Sequence, residues 1–107
     1  MTQQPQPASS VKIRSLDAKP LDENRIRAIL DLEEAEIGAD LVFILNDAND
    51  RELSRAVIMN NRDSHVEFTL HLRQQNFQPP ISLTCTAYQV EDIPLDSLTI
   101  QRSEEHT

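Results

Sequence analysis

One glycine, one cysteine and no tryptophan occur among the 107 residues, and each shortage removes a class of function. A loop that cradles a nucleotide phosphate needs several glycines, and the serine-hydrolase elbow needs two around its nucleophile; Gly38 alone can build neither. With Cys85 the sole cysteine, no intrachain disulfide can form, and a reducing compartment suits the chain. Cys85 stands in an apolar strand pattern, where burial makes a thiol inert. Aromatic residues are 4% of the total, so a core must come from Ile, Leu and Val with three Phe. No constellation for catalysis stands out, no cofactor is implied, and the expectation is a protein that is not an enzyme.

Basic residues are also scarce. The formal net charge is −8, which argues against direct nucleic-acid binding, since Lys and Arg neutralising phosphates supply most of that affinity. No apolar run approaches the ~20 residues of a membrane helix, and the N-terminus lacks the basic and apolar regions of a signal peptide. The expected setting is soluble and cytoplasmic, away from membranes.

What is present is acid, and it is concentrated. Between Ala28 and Asp50 stand Asp31, Glu33, Glu34, Glu36, Asp40, Asp47 and Asp50 with no Lys or Arg, while the other eleven acids are nearly balanced by all ten bases. The imbalance therefore belongs to one window.

The length suits a single domain. Residues 1–10 are rich in Gln, Pro, Ser and Thr and are expected to form a disordered tail; residues 11–102 form the domain, and 103–107 are expected to fray. Val11 to Leu16 alternates apolar with basic residues and suggests a short edge strand. From Asp22 to Ile37 the pattern predicts a helix. Asp22 can cap it, Leu21 can staple onto Ile26, Ile26, Ile29, Leu30 and Ile37 form a stripe, and Gly38 can stop it. Asp31, Glu33, Glu34 and Glu36 would then crowd the negative end of the helix dipole, a local violation of the sort that marks functional positions.

Strand patterns follow at about 41–46, 54–60, 65–73, 81–90 and 97–101. The unbroken apolar run Leu41–Leu45 suggests a strand covered on both faces. The 51–60 segment carries both periodicities and leaves helix or strand open, with the polar turn Asn60–Ser64 favouring strand for 54–60. The alternating runs from His65 and from Ile81 read as an antiparallel hairpin, with Pro79 and Pro80 in its loop. The expected fold is thus α+β, one helix at 22–37 packed on an antiparallel meander of about five strands.

Three functional readings arise. The first is a non-enzymatic adaptor that binds a basic protein surface through Asp31, Glu33, Glu34, Glu36, Asp40, Asp47 and Asp50 at the helix end. The second is a calcium-binding module using Asp40, Asp47, Asn49 and Asp50, although the spacing is not that of an EF-hand. The third is an acidic inhibitor that imitates nucleic acid. His65, Glu67 and His71 share one strand face, but two neighbouring donors are too few for zinc and the face reads as solvated. An exposed sheet face or edge makes a homodimer reasonable.

Overall fold

The computed structural model describes residues 11–73, 77–90 and 93–102, and the tails expected at 1–10 and 103–107 lie outside them. Seven strands run in chain order as β1 (Lys12–Asp22), β2 (Arg25–Glu33), β3 (Ala39–Asn46), β4 (Glu52–Asn61), β5 (His65–His71), β6 (Ile81–Val90) and β7 (Ile93–Arg102). A 3-10 turn at Ala35–Ile37 precedes β3 and is the one helical element among the described residues. They form two antiparallel sheets, ordered β1-β2-β5 and β4-β3-β6-β7.

The α+β expectation is therefore overturned. In place of a helix over 22–37, the chain completes β1, turns at Glu23–Asn24 and returns as β2. Asp22 does meet backbone N–H groups, but in a turn: its Oδ1 accepts from Asn24 N at 2.9 Å and its Oδ2 pairs with Arg25 at 2.8 Å. The decisive periodicity is two. Ile26, Ala28, Leu30 and Leu32 are buried, whereas Arg25, Arg27, Ile29, Asp31 and Glu33 face outward to varying degrees. Without a helix there is no dipole for Asp31 and Glu33 to oppose; both stand on the outer face of a strand, where carboxylates are ordinary.

The single meander is corrected as well. β5 and β6 do not form a hairpin; β5 pairs with β2 and β6 with β3, in opposite sheets. The chain crosses between sheets after β2, after β4 and after β5, leaving three strands on one side and four on the other. This is a Greek-key sandwich, differing from the split of a constant-type immunoglobulin domain in that the fourth strand joins the second sheet.

The core lies between the layers. Leu16, Ala18, Ile26, Ala28, Leu30 and Leu70 point inward from the first sheet, against Leu41, Phe43, Leu45, Leu83, Cys85 and Ala87 from the second. Across the gap the rings of Phe43 and Phe68 meet edge to face, centroids 4.7 Å apart at 71°, an arrangement that aromatic quadrupoles favour. β1 lies alongside β7, and Arg102 on β7 pairs with Asp17 on β1, closing one side of the sandwich. At the opposite side Arg73 donates its N–H to the Leu53 carbonyl at 3.2 Å, and the Ser54 hydroxyl donates to the His71 carbonyl at 2.9 Å.

Entry into β3 turns on Gly38, whose φ of +91° is a conformation that side chains disfavour. A Cβ there would sit 3.0 Å from Asn60 Oδ1.

Candidate functional site

The seven acids do not converge on one point. Asp31 and Glu33 lie on the outer face of β2, Glu34 and Glu36 are exposed at the turn into β3, and Asp40 is on the outer face of β3 in the other sheet. Asp47 and Asp50 belong to the turn at the far end of β3, roughly 20 Å from Asp40 at a rise of ~3.3 Å per residue.

Several acids already hold a partner. Glu33 pairs with Arg14 at 3.2 Å. Asp40 Oδ1 accepts the N–H of Asn60 at 2.8 Å, in the bulged end of β4. Asp47 is buried and acts as the fastener of its turn. Its Oδ1 accepts from the N–H groups of Asn49 and Arg51, each at 2.9 Å, and its Oδ2 from that of Gln78 at 3.4 Å. Those donors, Arg51 foremost, lower the Asp47 pKa against the opposing effect of burial. One carboxylate thus ties the β3–β4 turn to the segment that leads into β6. Its oxygens serve backbone amides, and Asp40 lies too far off to share an ion with Asn49 and Asp50.

The outer face of the first sheet is a lattice of charge. Antiparallel register aligns Ser15, Asp31 and His65 in one row and Asp17, Ile29 and Glu67 in the next. His65 Nδ1 meets Asp31 Oδ1 at 2.7 Å, and its Nε2 meets Glu67 Oε2 at 2.8 Å. Ser15 donates to the other Asp31 oxygen at 3.2 Å, and Arg27 pairs with Glu67 at 3.1 Å. The Asp31 carboxylate first, and Glu67 second, raise the His65 pKa. Both ring nitrogens face carboxylates, so the arrangement favours the imidazolium and leaves no nitrogen to accept a proton from a nucleophile. Ser15 addresses Asp31 and not the imidazole, which is not the geometry of a catalytic triad. His71 lies at the far end of β5, opposite Arg25 in the register.

The outer face of the second sheet is different in kind. Successive rows place Val57 beside Val42, Thr86 and Ser97, and Arg55 beside Ile44, Thr84 and Thr99. Val57 and Met59 are 51% and 67% exposed. Val42 and Ile44 are half-buried in an inner strand. Hydroxyls pair with each other across the strands, Thr84 with Thr99 at 2.8 Å and Thr86 with Ser97 at 3.0 Å. The run Leu41–Leu45 is therefore covered on one face only: Leu41, Phe43 and Leu45 fill the core, while Val42 and Ile44 look outward. Val42, Ile44, Val57 and Met59 are not among the site residues the sequence singles out, although the uninterrupted run is the signal for the first two.

Cys85 is fully buried on the inner face of β6, and burial, with Asp96 nearby, pushes its pKa up to about 12. Among the described residues no group of three or more His, Cys, Asp or Glu is placed to hold a metal ion. No helix there is long and apolar enough to cross a membrane.

No protein-family model and no curated protein matches the chain. Solved structures do. A glycosyl hydrolase family 2 member from Bacteroides cellulosilyticus DSM 14838 superimposes with a TM-score of 0.58 at 11% identity. The match covers 87% of this chain and 15% of that one. A structure of a glycosyl hydrolase family 2 member from Bacteroides cellulosilyticus, determined from microfluidic crystals, gives 0.61 at 10% identity, over 87% and 14% respectively. The likeness is one of fold. The chain spans about one-seventh of the hydrolase's length, and at this identity the comparison carries the sandwich and nothing of the hydrolase's chemistry.

Proposed function

We propose that the chain is a non-catalytic interaction module that docks a protein partner on the outer face of its second sheet, with acidic residues at the rim selecting a basic surround. The observation that carries this reading is the contrast between the two outer faces. One is a paired ionic lattice that holds its own strands together. The other sets Val42, Ile44, Val57 and Met59 among hydroxyls, with Arg55 paired to Glu52 at 3.0 Å at its margin. Apolar area of this kind, ringed by polar groups, is what protein contacts use.

The acids fit as a rim. Asp40 stands on the same face as Val42, and Glu34 and Glu36 are exposed just before β3 begins. A net charge of −8 would steer a basic-rimmed partner toward them.

The test is capture of partners followed by calorimetry at low and high salt. Val42→Lys with Ile44→Lys should abolish a specific association, and Glu34→Lys with Glu36→Lys should weaken it and flatten its salt dependence. Binding indifferent to both pairs of substitutions would remove the proposal.

A further inference from the structure

The second sheet ends on β4, and the middle of that edge lacks the charges and prolines found on the other three. Natural edge strands carry Lys, Pro, bulges or charges that discourage pairing with other chains. β1 has Lys12, Arg14, Lys19 and Pro20 and lies beside β7, which itself has Pro94 and Arg102; β5 has His65, Glu67 and His71. β4 instead runs Ala56-Val57-Ile58-Met59 without a charge, and Arg55 before it is paired to Glu52.

The open stretch has clear ends. On one side, Arg73 already bonds the Leu53 carbonyl. On the other, Asn60 has a φ of +50° and its N–H is taken by Asp40, which breaks the strand's regular course. Arg55 to Met59 lies between these limits, and its midpoint is Val57.

We propose that β4 pairs with β4 of a second copy of this chain, antiparallel about a two-fold axis at Val57, joining two second sheets into one. The open stretch is complementary to a copy of itself. An axis at Val57 sets Ala56 opposite Ile58 and Arg55 opposite Met59. No like charges oppose one another, and small meets large. A closed two-fold contact of this type uses the same patch on both partners. The join runs along the sheet's edge, while the Val57 side chain also belongs to the docking face above; Val42→Lys with Ile44→Lys, which should leave the self-association intact, separates the two readings.

Sedimentation velocity on the full chain, from about 10 µM to about 1 mM, should show the mass rising from 12.2 kDa toward twice that value. Val57→Lys, which brings like charges together at the axis, should hold the chain monomeric throughout while circular dichroism and the melting temperature stay unchanged. Val57→Cys should cross-link to itself under mild oxidation, because opposed residues in an antiparallel pair fall within disulfide reach. Thr99→Cys on β7 should not, and native Cys85 is buried. A monomer at every concentration without a Val57→Cys cross-link would overturn the proposal, as would self-association that Val57→Lys leaves intact.

Discussion

The contact between Phe43 and Phe68 tests the sandwich directly, because one ring belongs to the second sheet and the other to the first. In the α+β arrangement expected from the sequence, both strands would belong to one meander and a helix would cover Phe43. Phe43→Leu keeps most of the buried volume, and a near volume-conserving swap costs under ~1.5 kcal/mol. Phe68→Leu, at a half-buried position, should cost less. An edge-to-face pair adds ~0.5–1.5 kcal/mol beyond burial, so the double variant should be less unstable than the sum of the singles by about that amount. At ~4–8 °C per kcal/mol for a domain near this size, a deviation from additivity of several degrees is readable. Without tryptophan, thermal unfolding followed by far-ultraviolet circular dichroism is the suitable assay. Additivity within ~0.3 kcal/mol, the behaviour of distant sites, would mean that the rings do not meet, and the stacking of the two sheets would fall with them.

Gly38→Ala should destabilise by ~1–3 kcal/mol, the usual range for a residue forced into a sparsely populated backbone region, read as a lower urea midpoint. Cys85 should resist a thiol reagent at pH 8 in the folded protein and react at once in denaturant, since its pKa is pushed up to about 12. Two acid–base dependences have opposite signs. The Asp47 pKa is lowered in the fold, so its contribution is present above the ordinary value of 3.8 and is lost as pH falls through the folded value; Asp47→Asn should flatten the acid limb of the stability curve. The His65 pKa is raised, so its contribution is full below the ordinary 6.5 and is lost as pH rises through the folded value; His65→Gln should remove that alkaline decline.

How far the sequence could be read depends on which residues are considered. Period-two runs from His65 and Ile81 name strands because their alternation has no helical competitor, and the apolar run at Leu41 does so by its short length and β-branched residues. Asp22 to Ile37 had one. Ile26, Ile29 and Leu30 satisfy a helical stripe as well as Ile26, Ala28 and Leu30 satisfy a strand face, and counting small Ala28 as neutral tips the choice. Asp22 and Gly38 could not arbitrate, because a carboxylate that accepts backbone N–H groups and a glycine at positive φ serve turns and helix ends alike. Pairing between sheets was harder still. Neighbouring strands usually pair, and nothing local to His71–Ile81 says that its loop carries the chain to the opposite layer. For the same reason the acids could be counted but not located: Asp31 and Asp40 are nine positions apart in the chain, yet they occupy outer faces of different sheets.

The connections that cross between layers also set an order of assembly. β1 and β2 can close as a local hairpin, and so can β3 and β4, but the second neighbour of β2 arrives late: Asp31 must wait for His65, 34 residues further on. β1 meets its flanking strand only after β7 has emerged. Much of the gain comes from contacts distant in the chain, which slows folding to the millisecond-to-second range usual for sandwiches. Until β6 docks, β3 as well as β4 presents an open edge, so the second layer has two edges to shield where the finished sheet, with β7 beside β1, has that of β4.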